Sequence, residues 1–175
     1  DTGRLDNAAE LLTLGGRDIR HALKMLIPPP WEKDPDMSPA VKNFFRYHSA
    51  LMEPWDGPAS IVFSDGYAIG LALDRNGLRP ARYVKTSDGI VGALDVDPER
   101  IELSGKVGPG GMICADLQTR RFWTNDDILG ELSKRRNYQE WCRRQRIRLE
   151  EAASIVIEQP AVNSDALLIK QAQFG

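Results

Sequence analysis

The segment Met52–Pro80, MEPWDGPASIVFSDGYAIGLALDRNGLRP, restricts the fold more than any other part of the chain. Pro54 and Pro58 bracket Trp55-Asp56-Gly57, so a helix arriving from Tyr47 must end and bend here, because proline lacks the N–H and clashes with the preceding turn. Ala59–Phe63 and Tyr67–Leu73 follow as two β-patterned runs, with Ser64-Asp65-Gly66 between them. Asp-Gly accepts the positive φ angles that tight hairpins need. Asp74-Arg75-Asn76-Gly77-Leu78-Arg79-Pro80 then forms a constrained loop, since Asn-Gly supplies positive φ at little cost. A helix end, a bend, an antiparallel hairpin and a fixed loop are thus written into one run.

The flanks are helical in pattern. Leu5, Ala8, Ala9, Leu11, Leu12 and Leu14 crowd one stretch, and Gly15-Gly16 stops it. Asp18 caps a second helix carrying Ile19, Ala22, Leu23, Leu26 and Ile27, which Pro28-Pro29-Pro30 ends. Ser38-Pro39 places an N-cap before a proline at the first helical position. Val41, Phe44, Phe45, His48, Leu51 and Met52 then recur at helical spacing. After the hairpin, strands are expected at Arg82–Thr86, Gly111–Ala115 and Arg121–Trp123, with a further turn at Asp88-Gly89. Asn125 with Asp126 and Asp127 reads as a capped, acid-rich helix start, and a basic helix is expected over Lys134–Leu149. Ala152–Ala166 is ambiguous, and Asp165–Phe174 starts another helix. Helices, then an antiparallel sheet, then helices make an α+β fold.

Composition narrows the functional classes. The chain has 175 residues, 42% hydrophobic and 27% charged, with a formal net charge of −2. That is enough chain for one domain with its own core. The acidic balance argues against nucleic acid or an anionic membrane as partner, and no apolar run approaches the roughly 20 residues that span a bilayer. Asp1 has no basic start or apolar segment behind it, so no secretory leader is expected. Two cysteines, Cys114 and Cys142, stand far apart without metal-ligand spacing.

Several residues carry candidate chemistry. Glu53 and Asp56 flank Trp55 between fixed backbone positions; they are an acid–base pair or, as the stronger reading, acids satisfying backbone donors at a rigid corner. Trp55, held at that corner, and the Phe44/Phe45 pair are expected in the core, so that Trp55→Ala would be severely destabilising. Arg75 and Arg79 either grip a carboxylate or phosphate or tie their loop to acids such as Asp74. His21 and His48 lack ligand-spaced partners and read as core residues, so no metal site is expected. Cys114 lies in an apolar strand, where a thiol stays protonated, whereas Cys142 has Arg143 and Arg144 beside it. Lys134, Arg135, Arg136, Arg143, Arg144, Arg146 and Arg148 form a basic run that, with Tyr138 and Trp141, resembles a stacking surface for single strands; a solvated helix or docking face is the stronger reading.

The wording of Tyr47–Pro80, together with Asp1-Thr2-Gly3-Arg4-Leu5-Asp6-Asn7, Tyr138-x-x-Trp141 and the closing Gln171-Ala172-Gln173-Phe174-Gly175, resembles the glutaminase (class II glutamine amidotransferase) domain of glutamate synthases. The resemblance implies part of an N-terminal-nucleophile-hydrolase αββα sandwich with antiparallel sheets, followed by a C-terminal helical linker. It implies a boundary near 130, with residues 131–175 leading out toward a central domain. It assigns Asp1 to the α-ammonium of bound glutamine and Arg75, Asn76, Gly77 and Arg79 to the shell supporting that site. It places the nucleophilic cysteine, and so every catalytic residue, outside these residues. FMN and an iron–sulfur cluster are implied for the parent enzyme and no cofactor for this chain. The implied partners are glutamine, the remaining synthase domains and a reductase subunit or ferredoxin, and the implied location is cytoplasmic or plastid. The segment Gly89–Asp97 is shorter than the family pattern. A binding or regulatory module that keeps the fold without the nucleophile is the other reading.

Overall fold

The computed structural model describes residues 2–86, 89–91 and 98–147. The chain divides into one unit of residues 1–144 and a second of residues 145–175. All contacts below lie within the first. The turn at Asp88-Gly89 and the expectations for Ala152–Ala166 and Asp165–Phe174 involve residues outside those described.

Helix α1 spans Thr2–Leu14, α2 Ile19–Leu26 and α3 Pro39–Ser49. Both expected caps form: the Asp18 carboxylate accepts the His21 N–H and the Ser38 hydroxyl the Val41 N–H. Strands β1 (Ser60–Ser64) and β2 (Ala68–Leu73) make the hairpin. Asp65 Oδ1 accepts the Tyr67 and Ala68 N–H groups across the turn, where Gly66 has φ +84°. Next come β3 (Ala81–Thr86), β4 (Gly89–Val91), a 3₁₀ turn (Pro98–Arg100), β5 (Ile101–Val107), β6 (Met112–Asp116) and β7 (Arg121–Trp123), then α4 (Asn125–Leu132) and α5 (Tyr138–Gln145).

All strand pairings among the described residues are antiparallel, in two sheets ordered β1-β2-β6-β7 and β4-β3-β5. Because side chains alternate along a strand, the four-stranded sheet has two distinct faces. Phe63, Ala72, Met112 and Cys114 point to one face and join Leu23, Leu26, Phe44, Phe45, Ile128 and Leu132 of the helices in the main core. Leu73 and Ile113 point the other way, against Val107, Ala81 and Tyr83 of the three-stranded sheet. The α+β expectation holds, with helices on one face and a second sheet against the other.

Three local expectations are corrected. The cap of α4 is Thr124, one residue before Asn125: its hydroxyl accepts the Asp127 N–H while the Asp127 carboxylate accepts the Thr124 N–H, a reciprocal capping box. The basic helix is short, Tyr138–Gln145, and Trp55 is only partly buried at the edge of the main core.

The core also contains a histidine pair. Nε2 of His21 lies 2.9 Å from Nε2 of His48, and Nδ1 of His48 lies 2.8 Å from the Phe44 carbonyl oxygen. A carbonyl only accepts, so His48 carries its proton on Nδ1 and its Nε2 accepts from His21 Nε2–H. Burial, the leading cause for both rings, pushes each from the ordinary 6.5 to about 4. A depressed folded value means the pair's contribution is complete above the unfolded value of about 6.5 and is lost as pH falls toward 4. The thermal midpoint is therefore expected to drop across that window. His21→Gln, whose carboxamide can still donate to His48, should make the drop shallower; equal slopes in the two proteins would refute this.

Candidate functional site

The constrained loop after β2 is built around one buried carboxylate. Asp74, 3% exposed, accepts the Ala59 N–H on Oδ1 at 3.2 Å and the Asn76 and Leu78 N–H groups on Oδ2 at 3.1 and 3.3 Å. Burial alone would raise its pKa, but these three backbone donors outweigh it and hold the carboxyl below the usual range. Its backbone is also occupied: its carbonyl accepts the N–H groups of Gly77 (3.0 Å) and Gly110 (2.7 Å). Gly77 has φ +62°, and a Cβ there would stand 2.9 Å from Pro109, so both conformation and space require glycine. The loop is thereby locked onto the Gly108-Pro109-Gly110-Gly111 turn between β5 and β6.

The loop's arginines diverge in role. Arg75 pairs with Glu32 at 3.6 Å rather than with Asp74, whose oxygens are taken by backbone. Arg79 is exposed and has no ion pair or hydrogen bond among the described residues. A cavity of ≈ 120 Å³ lies beside Arg75 and Glu32, with Trp31, Phe45, His48 and Ser49 in its wall. A wider apolar hollow of ≈ 340 Å³, lined by Val62, Ile69, Leu71, Tyr83 and Ile113, opens between the two sheets. The wider hollow is lined by no acid and base pair, and in the smaller one Glu32 is paired with Arg75 while His48 is bonded to His21 and the Phe44 carbonyl. Asp1 lies outside the described residues.

Behind the glycine turn sits a group that periodicity gave no reason to notice. Lys24 of α2 is 1% exposed. Its Nζ donates to the Gly110 carbonyl at 2.7 Å and to Asn125 Oδ1 at 2.8 Å. Asn125 Oδ1 also accepts the Met112 N–H at 3.2 Å. Burial drives the Lys24 pKa down to about 7, opposed in part by Asp126.

The remaining candidates are structural. Asp56 is exposed and accepts the N–H of Gly57, and Glu53 is exposed as well. Cys114 is buried, which pushes its thiol up to about 11. Cys142 Sγ lies 3.8 Å from the Asn43 carbonyl oxygen, and the neighbouring Arg143 and Arg144 both bind Glu140. Arg135 is held by Asp18 and Glu131. Tyr138 is buried against Phe44 and His48, so it offers no stacking face for a base. Among the described residues no cluster of three or more His, Cys, Asp or Glu could hold a metal ion.

Comparison with known proteins places this geometry in context. The family model of class-II glutamine amidotransferases matches residues 1–141. The chain is similar to the glutamate synthase [NADPH] large chain of Bacillus subtilis, 38% identical over 185 residues that cover 100% of this chain and 12% of that protein. It is similar to the chloroplastic ferredoxin-dependent glutamate synthase 2 of Arabidopsis thaliana, 36% identical with 100% and 11% covered. The ferredoxin-dependent glutamate synthase of Antithamnion sp. is 40% identical over 81% of this chain and 10% of its own length. The chain thus spans about an eighth or less of the relatives it matches.

Proposed function

Because the chain belongs to the class-II glutamine amidotransferases, we propose that it is the later part of the glutaminase domain of a glutamate synthase. Residues 1–130 complete that domain and residues 131–175 lead out of it. The observation that carries the reading is the match of the whole chain to glutamate synthases of bacterial and plastid type. In the parent, a cysteine thiolate outside these residues attacks the glutamine carboxamide, the C–N bond breaks and ammonia leaves. Water then cleaves the thioester to release glutamate. The ammonia condenses with 2-oxoglutarate elsewhere in the protein, and two-electron reduction of the imine gives the second glutamate.

Within this chain, Asp1 binds the α-ammonium of glutamine through charge-assisted hydrogen bonds. Arg75, Asn76, Gly77 and Arg79 form the supporting shell of the same site, held in place by Asp74. Residues 1–175 do not fit the FMN or the iron–sulfur cluster of such an enzyme. Two cysteines fall short of a cluster's usual thiolate set. The glycine-rich turn lacks the lysine and hydroxyl of a phosphate loop, and its Gly110 and Gly111 N–H groups already bond to Asp74 and Gly108. Both groups belong to other domains. The electron donor is a reductase subunit or ferredoxin, and the compartment is the cytoplasm or a plastid.

The complete protein, given glutamine, 2-oxoglutarate and a reductant, is expected to form glutamate; failure to consume glutamine would end the proposal. A polypeptide of residues 1–175 alone should release no ammonia from glutamine above a buffer blank, since Cys114 is buried with a raised pKa and Cys142 faces a backbone carbonyl. Ammonia release abolished by Cys142→Ser would contradict this.

A further inference from the structure

A lysine is almost never fully buried unless a carboxylate pairs with it. Among the described residues no carboxylate lies within hydrogen-bonding distance of Lys24; its two partners there, the Gly110 carbonyl and the Asn125 carboxamide, are neutral. Methionine would fill the same space without the cost of burying an amine, but it would leave both oxygens without this donor. The position therefore favours the donor over packing, and the question is what the donor holds.

The answer follows from Gly110. Its carbonyl accepts from Lys24, and its own N–H donates to the Asp74 carbonyl at 2.7 Å. One residue thus joins the buried amine to the buried carboxylate that shapes the 74–79 loop. Gly77 presses on Pro109 of the same turn without room for a Cβ, so loop and turn move together. Through Asn125 the amine also grips the start of α4 and, via the Met112 N–H, the start of β6. The Arg75–Glu32 pair is a weaker tie: at 3.6 Å and with the Glu32 side chain 62% exposed, it belongs to a class worth little.

We propose that Lys24 is a positioning residue for glutamine use, tethering the Gly108–Gly111 turn and, through Gly110 and Asp74, setting the placement of Arg75 and Arg79. This rests on the reading that the 74–79 loop belongs to the glutamine site. The tether does not depend on charge. With its pKa near 7 the amine exists in both forms, and even neutral it keeps two N–H donors for its two acceptors.

The test uses the complete synthase and measures glutamine-dependent and ammonia-dependent glutamate formation side by side. Lys24→Met should lower kcat/KM for glutamine about tenfold or more, since displacements of ~1 Å in positioning groups cost up to about 100-fold. Ammonia-dependent turnover should stay within about twofold. Lys24→Gln, which keeps two N–H donors on a shorter stem, should fall between and serves if the methionine variant does not fold. Hydrogen exchange at the Asn76 and Leu78 amides should quicken while that at Ala22 in α2 stays unchanged. Equal loss in both assays, or loss in neither, overturns the role of Lys24. Arg79→Ala separates the two readings. If it leaves glutamine kcat/KM intact, the loop is not part of the site and both readings fall; if it lowers kcat/KM while both Lys24 variants do not, only the Lys24 proposal falls.

Discussion

Phe44→Ala should destabilise residues 1–175 by roughly 3–5 kcal/mol, the usual cost of truncating a buried aromatic side chain. Phe44 is 0% exposed. Its ring meets Phe45 at 5.2 Å, Tyr138 at 5.4 Å, His48 at 4.3 Å and His21 at 5.4 Å. It therefore joins α2, α3 and α5 in one cluster, and no neighbour can collapse into the void without disturbing the histidine hydrogen bond beside it. At about 2–4 °C per kcal/mol for a chain of this size, the thermal midpoint should fall by about 10 °C. Trp55→Ala should cost less, about 1–2 kcal/mol, because its indole is only partly removed from water. The sequence alone pointed to Trp55 as an equally severe site: its proline- and glycine-locked corner was read as burial, whereas fixed backbone and buried side chain are separate properties. A Phe44→Ala protein melting with the parent, or a Trp55→Ala protein melting below Phe44→Ala, would contradict the core described here.

What was legible in the chain was local chemistry. Asp18 and Ser38 announced their helices because a cap needs only a short oxygen and the next few N–H groups. Asp65-Gly66 announced the hairpin for the same reason. Strand β5, Ile-Glu-Leu-Ser-Gly-Lys-Val, went unread because it lies at the edge of its sheet and five of its seven residues are exposed, so solvent rather than core dictates its residues. Its Gly105 makes room for the Tyr83 ring, a cross-strand fact with no local signal. An Asn before two Asp residues fits a helix cap, but the Asn125 carboxamide is bound by Lys24 and the Met112 N–H instead. Lys24, 86 residues from Gly110, and His21, 27 residues from His48, owe their roles to tertiary contacts that no periodicity reveals. In the site, the Arg75-to-Arg79 segment was legible as a rigid loop, but its organiser Asp74 was read only as a partner for arginine.

The second large effect concerns Asp1. In the proposed site its carboxylate faces the α-ammonium of glutamine, and Asp1→Asn leaves that ammonium with a neutral acceptor. In a desolvated site the loss is about 2–5 kcal/mol, which at 1.4 kcal/mol per decade is roughly thirty-fold or more in kcat/KM for glutamine. If Asp1 merely precedes and caps α1, the substitution touches stability instead, by at most about 1–2 kcal/mol. The decisive measurement is glutamine-dependent and ammonia-dependent glutamate formation by the complete protein carrying Asp1→Asn. A fall of roughly thirty-fold or more with glutamine, without a matching fall with ammonia, is the result expected of a chain that builds the glutamine side of a glutamate synthase. Equal loss with both nitrogen sources, or loss with neither, would contradict it.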